Sequence, residues 1–374
     1  MSRILLILKE PFLDRIPSLK TLVWSFLNRN DHITLITSES KFFTLISFQH
    51  KNLRVIKVKQ RSRKIEIPTS IKLFISTFNY LLFNSVDYVI GGDALGNIIA
   101  SRLCQTFKKK HIFFVLEYPQ IPTSRHPHLS HAERAENKAL CHADVIITHD
   151  KWHEAFLRQH FAIRANNVLH LPNASFTPEF KGESDFLQQS FHLHDTTIIL
   201  HSGGFGIWFK CKELAECTRS WDDNVKLVFH LSHDLMGSPY FEEIYHNDYH
   251  GKILWSLKSV STFELDKLVA SASIGIALYS EQELGYRATY MGLAAGKIGN
   301  YLKCGVPVIS TRLPSLTYLE EFECGILVDN EADISHAIQK IIVDRETYSS
   351  NARKCYNELW HPDRYIRDIY AAIK

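Results

Sequence analysis

The stretch Tyr290–Thr311, YMGLAAGKIGNYLKCGVPVIST, sets the reading of the whole chain. It combines a glycine-rich loop, a short helix, a tight turn and a buried strand. Gly292, Gly296 and Gly299 allow backbone to approach a ligand closely. Ile298, Tyr301 and Leu302 fall on one helical face and predict core. Lys297 and Asn300 share a different face near the helix start. Gly305 is placed to end the helix, Pro307 follows where a helix cannot continue, and Val306, Val308 and Ile309 predict a buried strand. A helix start offers unpaired N–H groups and a partial positive charge, so a lysine beside it suits phosphate or diphosphate. An ordinary helix–strand connection with a solvated Lys297 fits the same residues.

Two familiar phosphate motifs fail on this stretch and its surroundings. A P-loop needs a glycine where Met291 stands and a hydroxyl where Ile298 stands. A dinucleotide fingerprint finds Gly204-Phe205-Gly206 but meets Phe209 at its third glycine position. That failure disfavours an oxidoreductase.

Outward from this stretch, strand and helix signals alternate along the 374 residues. In the first half, strands are predicted at Ile4–Leu8, Ile33–Thr37, Arg54–Lys57, Tyr88–Gly91, Ile112–Leu116, Val145–Thr148 and Val168–Leu171. Residues 175–194 lack periodicity and read as a linker. The alternation then restarts, with strands at Thr197–His201, Val225–His230, Ile253–Ser256, Ile274–Tyr279, Val306–Ser310 and Gly325–Val328. Short apolar runs separated by helical segments give parallel sheets covered on both faces. The fold class is therefore α/β, with two tandem Rossmann-like, doubly wound domains over 1–174 and 195–355. The break at Trp360–Arg364 separates a last helix, within 356–374, that is suited to packing back on the first domain.

Charge divides the chain as well. Residues 1–174 carry 24 Lys and Arg against 13 Asp and Glu, a net +11, and the rest carries 19 against 27, a net −8. Two halves of opposite sign suggest domains with different partners. The basic residues concentrate in Lys51–Lys72 (Lys51, Arg54, Lys57, Lys59, Arg61, Arg63, Lys64 and Lys72 against Glu66). Aromatics flank them at Phe42, Phe43, Phe48, Phe74, Phe78 and Tyr80. Residues 42–80 thus suit an anionic membrane surface or lipid, or form a solvated loop beside core aromatics. No recognition motif accompanies the charge, which argues against nucleic acid. No stretch reaches the ~18 apolar residues of a membrane span. The first residues lack the length of a signal peptide. Seven scattered cysteines without a C-x-x-C pair predict reduced thiols and a cytoplasmic protein.

Polar residues at strand ends are the remaining candidates, since ligands of such sheets bind there. Asp93, after Gly91-Gly92, either binds a hydroxyl or caps a helix. Glu117-Tyr118 follow a strand, and a carboxylate there can orient or deprotonate a hydroxyl. His126, His128 and His131 lack metal-site spacing and read as surface histidines. In the second half, Ser202-Gly203-Gly204-Phe205-Gly206 with Lys210 and Lys212 forms a second phosphate-suited turn. Its strand and the strand before the opening helix can present their ends to one crevice. Glu281, Glu283 and Arg287 either line that crevice or decorate a solvated loop.

The tandem domains resemble the GT-B fold of nucleotide-sugar glycosyltransferases. Gly296 to Ile309 is similar to the "K-x-x-E-Y-L-x-x-G-x-P-V-I" signature of glycosyltransferase family 4, and Ser202-Gly203-Gly204 with Lys210 is similar to its first C-domain loop. The likeness covers about 197–374 in sequence and 1–174 in architecture alone. It implies two domains facing a central cleft, with the last helix crossing back. It places the donor diphosphate on the Gly296, Lys297 and Ile298 amides, with Gly203, Gly204 and Lys210 opposite. Asn300 would meet the ribose, and Ser256, Leu257 and Lys258 the base. The chain departs from the family at two positions: Asn300 replaces a glutamate, and Gly292 stands where the first glutamate of the pair would fall. Glu281 or Glu283 would replace the lost sugar contact.

The implied activity is sugar transfer from a nucleotide diphosphate sugar, UDP or GDP type, with retention. The implied catalytic groups are Glu117, Lys210, Lys297 and Glu281. Asp93, Glu117, Tyr118 and His126 would hold a glycan or lipid-linked acceptor at the cytoplasmic membrane face. No cofactor is expected, and no Asp-x-Asp motif is present to hold a metal. A nucleotide-sugar 2-epimerase and a non-catalytic glycan- or partner-binding protein are the alternatives.

Overall fold

The computed structural model describes residues 1–40, 49–59, 68–175, 180, 182, 184–232, 235–247 and 249–373. Phe42, Phe43, Phe48, Arg61, Arg63, Lys64 and Glu66 lie outside the described residues. The chain divides into two compact units, Met1–Phe176 with His361–Lys374, and Thr177–Trp360.

The first unit holds seven parallel strands: β1 (Arg3–Ile7), β2 (His32–Ser38), β3 (Leu53–Val58), β4 (Tyr88–Gly91), β5 (Lys110–Phe114), β6 (Val145–Thr148) and β7 (Asn167–His170), in the order β3-β2-β1-β4-β5-β6-β7. Strand β1 shows why the layers form. Its side chains alternate across the pleat. Leu6 joins the core cluster that contains helix Pro17–Asn28, while Leu5 and Ile7 join the cluster that contains helices Thr69–Phe83 and Ala94–Phe107. Both faces are covered, which is what an apolar run such as Leu5-Leu6-Ile7, fully buried throughout, requires.

The last helix, Asp363–Ile373, belongs to this unit: Ile366, Ile369 and Ile373 join the cluster around Ile4 and Phe26. The Lys110 ammonium donates to the Ala372 and Ile373 carbonyls at 3.1 and 3.2 Å, placing a cation at the negative helix end.

The second unit holds β8 (Thr197–Ser202), β9 (Val225–His230), β10 (Ile253–Ser256), β11 (Ile274–Ala277), β12 (Val308–Thr311) and β13 (Gly325–Val328), parallel and ordered β10-β9-β8-β11-β12-β13. The segment expected to be a linker carries a helix, Phe186–Phe191, that belongs here. Leu187 is fully buried and its N–H donates to Ser271 Oγ at 3.2 Å, while Gln188 Nε2 donates to the Ser271 carbonyl at 2.9 Å. Six residues with one anchor are too few to show a period. The Tyr356–Trp360 turn also belongs to this unit, with Trp360 fully buried against Gly299, where a Cβ would come within 2.6 Å of the ring.

Candidate active site

The Gly296–Lys303 helix is positioned at both ends by its own sequence. At its end, Gly305 N–H reaches the Leu302 carbonyl at 3.0 Å and Val306 N–H the Tyr301 carbonyl at 2.9 Å, and Gly305 takes φ 71°. This is the Schellman closure that a glycine at that position permits. Ile298, Tyr301 and Leu302 are fully buried, as their shared face predicts. At the start, Ala295 offers no side-chain cap, and the first turn contains no acid. Ile298 N–H is already used by the Ala295 carbonyl at 2.8 Å, so the expected trio of amides becomes a pair. Gly296 and Lys297 N–H have no acceptor among the described residues.

Lys297 stands beside this pair. The residue is only half-buried, yet its Nζ is sealed from solvent and has no hydrogen-bond partner among the described residues. The Phe209 ring lies 4.0 Å from it, centroid to Nζ. Burial lowers the ammonium from 10.5 to about 8. The nearby Cys211 thiol supplies no counter-charge, because burial pushes it up to about 11. His201, fully buried, donates from Nε2 to the Gly204 carbonyl at 2.8 Å, leaving Nδ1 without a partner. Burial first, then the Lys297 charge, hold that imidazole well below its ordinary value and hence neutral. Among the described residues, no carboxylate pairs with the Lys297 ammonium.

The loop after β8 meets this helix directly. Ser202 N–H donates to Tyr301 Oη at 2.9 Å, and Tyr301 Oη donates on to the Leu200 carbonyl at 2.9 Å. A Cβ on Gly203, which takes φ 108°, would contact Lys297 Cε at 3.9 Å. One on Gly204 would strike Phe209 at 2.3 Å, so only glycine lets that ring lie across the loop.

Lys210 has a partner within the fold. Its ammonium is paired with the Glu331 carboxylate, and its backbone sits in the left-handed region at the start of helix Cys211–Cys217. Asn300 is half-buried, and its side chain makes no hydrogen bond among the described residues. Ser256 Oγ contacts His230 Nδ1 at 2.9 Å, which sets Leu257 and Lys258 just past the end of β10. Glu281 is exposed at the start of a short helix, next to Ser280, whose N–H donates to the Trp208 carbonyl at 3.0 Å. The ends of β8 and β11 thus converge beside the Gly296–Lys303 helix.

In the first unit, both oxygens of Asp93 are engaged by backbone. Oδ1 accepts from Gly96 N–H at 2.7 Å and Oδ2 from Lys9 N–H at 2.6 Å. This is a helix cap, and burial raises the carboxyl to about 6. Glu117 is exposed just past β5. Tyr118 is buried, stacked on His153 at 4.2 Å and edge-on to Phe156 at 4.5 Å, so its ring serves the core. His126 is exposed, with Nε2 3.4 Å from Glu133 Oε2.

No family model matches the chain, and no curated protein matches it. Among solved structures it is similar to sucrose-phosphate synthase of Thermosynechococcus elongatus over 100% of both chains (TM-score 0.74, 16% identity). The HepE protein of Anabaena, solved with UDP-glucose, matches over 100% of this chain and 99% of its own (0.71, 12%). A candidate UDP-N-acetylglucosamine 2-epimerase of Listeria monocytogenes matches over 100% and 95% (0.64, 11%). The chain has the GT-B fold.

Within this GT-B chain, several residues of chemical interest escaped the sequence reading. His201, Phe209 and Cys211 wall in Lys297, and the only trace of that in sequence is the aromatic occupying the third glycine position. Just past the end of β6, His149 is buried, donates from Nδ1 to the Leu171 carbonyl at 3.1 Å, and is lowered to about 4, by burial first and then by His153. His153 Nδ1 lies 3.2 Å from Asp150 Oδ1. Glu136 is raised to about 7 by burial, then by the charges of Asp93 and Glu133. Nothing in the spacing of these residues marks them.

Proposed function

We propose that the chain transfers a sugar from a nucleotide diphosphate sugar to a glycan or lipid-linked acceptor. The observation that carries this reading is the Lys297 ammonium, buried without an anion beside two unused amides at a helix start. A diphosphate supplies the missing charge and accepts from all three groups. In transfer, negative charge accumulates on the departing diphosphate, and donors already fixed in place stabilise it most. The resemblance to family 4 in Gly296–Ile309 supports a retaining course and a hexosyl donor, and likeness in fold to a protein solved with UDP-glucose supports a uridine donor. In this reading Asn300 meets the ribose, and Glu281 or Glu283 supplies the carboxylate for the sugar.

The test is binding first, then turnover. UDP or GDP should raise the melting temperature of the wild-type protein. Incubation with the matching nucleotide sugar and a glycan acceptor should release nucleotide diphosphate and extend the acceptor. Accumulation of an epimeric nucleotide sugar without acceptor would sink the transferase reading in favour of an epimerase. Absence of any nucleotide effect would leave a non-catalytic protein on a GT-B scaffold, a reading favoured by Gly292 and Asn300 at the signature positions.

A further inference from the structure

Helix Thr69–Phe83 in the first unit has a solvent side of the wrong character. Its sequence, TSIKLFISTFNYLLF, contains a single charged residue, Lys72. Leu73, Thr77 and Leu81 face the core. Ile71 and Ile75 are each 48% exposed, Leu82 is 54% exposed and Phe83 80%. Ile71, Ile75 and Leu82 follow helical spacing and form one stripe. A helix on a solvated surface carries polar residues there, so this stripe needs a partner.

The neighbourhood says which one. The last turn of the helix, through Tyr80 and Phe83, lines a cavity of about 470 Å³ together with Arg3, His32, Lys51 and Arg54. Arg3, Lys51 and Arg54 are exposed and make no ion pair among the described residues. Two acids lie close by: Asp87 accepts the Arg3 backbone N–H at 2.8 Å, and Asp31, next to His32, accepts the Ser2 N–H at 2.6 Å. Lys57 and Lys59 add exposed cations along and just past the edge strand β3, against which this helix packs.

We infer that the Ile71–Ile75–Leu82 stripe, Phe83 at the helix end and the Arg3–Lys51–Arg54 cavity form one docking face for an anionic lipid surface, with the apolar side chains in the acyl boundary and an acidic headgroup in the cavity. An amphipathic helix with cations beside it binds such a surface in the interfacial plane. The helix has 15 residues, too few to span a bilayer, and no helix among the described residues is long and apolar enough to do so. A second copy of the chain fits poorly: a two-fold contact through this face would oppose Arg3, Lys51 and Arg54 to one another. The inference deepens the proposal of a lipid-linked acceptor, but its primary readout, vesicle binding, needs neither donor nor acceptor.

The test is co-sedimentation of the full chain with vesicles of phosphatidylcholine alone or with 30% phosphatidylglycerol, roughly the anionic content that gives a strong surface potential. Wild-type protein should pellet with anionic vesicles at low salt and stay in solution with neutral ones. Ile75→Asp/Leu82→Asp should lower the partition at least tenfold. Lys51→Glu/Arg54→Glu should lower it roughly tenfold and flatten its salt dependence. All four positions are exposed, so circular dichroism and the nucleotide-induced melting shift should match wild type and exclude misfolding. Equal pelleting of wild type and both variants, or no preference for anionic vesicles, overturns the inference. So does a concentration-dependent dimer in ultracentrifugation that Leu82→Asp abolishes. If vesicle binding fails while soluble-acceptor transfer succeeds, only this inference is lost.

Discussion

Replacing Lys297 by methionine separates the donor-site reading from a structural one. Methionine keeps the length of the side chain and its contact with Phe209 but removes the charge. In the ligand-free protein the ammonium is lowered from 10.5 to about 8 by burial. That shift corresponds to about 3 kcal/mol of destabilisation at neutral pH. Lys297→Met should therefore stabilise the ligand-free protein by about 1–3 kcal/mol, a rise in melting temperature of roughly 3–8 °C. The sign with pH is fixed. The folded protein binds fewer protons than the unfolded chain between pH 8 and 10.5, so wild-type stability rises through that window. The advantage of the variant is complete below pH 8 and gone above 10.5. Nucleotide binding should move the other way. Losing a charge-assisted contact worth about 1.5–3 kcal/mol weakens UDP or GDP by roughly 10–150-fold.

A third readout belongs to this lysine alone. At pH 8 about half of the ammonium groups are deprotonated, and a bound diphosphate restores the charge. Calorimetry in two buffers of different ionisation enthalpy should then show uptake of about half a proton per nucleotide, absent in the variant. A variant that melts lower than wild type without nucleotide, and binds UDP and GDP unchanged, would refute the reasoning. Lys297 would then be a packing partner of Phe209 and nothing more.

Other outcomes follow from the same neighbourhood and from the first unit. Tyr301→Phe strands Ser202 N–H and should cost about 1–3 kcal/mol by denaturant titration, with several-fold weaker nucleotide binding as the loop after β8 loosens. Asp266→Leu leaves the buried Lys303 ammonium, now 2.6 Å from the Asp266 carboxylate, without its partner; it should cost about 3–5 kcal/mol, and Asp266→Leu/Lys303→Met should recover most of that. Glu136 is raised from 4.5 to about 7, so its penalty is present above pH 7 and fades as pH falls towards 4.5; Glu136→Gln should be more stable than wild type by about 1–3 kcal/mol at pH 8.5 and indistinguishable near pH 4.5.

The sheets were legible because parallel strands buried on both faces are written as apolar runs. Val225–His230 and Gly325–Val328 run to the same residues in sequence and structure. The polar helix Arg345–Cys355 was not legible, since only Ala352 and Cys355 of it are buried and no apolar period exists to read. Neither were the four-residue helices Glu281–Leu284 and Tyr286–Thr289, which occupy what reads as a loop. At the site, the sequence shows that Lys297 begins a helix beside glycines, which is a local fact. The fate of Lys210 is not local, because its partner Glu331 stands 121 residues away and belongs to a different element. The same holds for Asp93, whose second carboxylate oxygen is taken by the Lys9 N–H 84 residues earlier.

The Gly296–Lys303 helix contains its own control for the phosphate reading. Two of its lysines have buried ammonium groups. Lys303, at the end of the helix, has Asp266 at 2.6 Å, and the charge is neutralised within the fold. Lys297, six positions earlier on another face, has an aromatic ring, a neutral imidazole and a protonated thiol around it. Burial alone does not separate them, and neither does the identity of the residue. What separates them is that one cation is compensated from inside the protein and the other stands where two backbone N–H groups also lack acceptors among the described residues. An uncompensated buried charge lowers stability wherever it sits. Confined to a helix start beside the Gly296 and Lys297 N–H groups, it supports the proposal of an anion site whose charge balance a ligand completes.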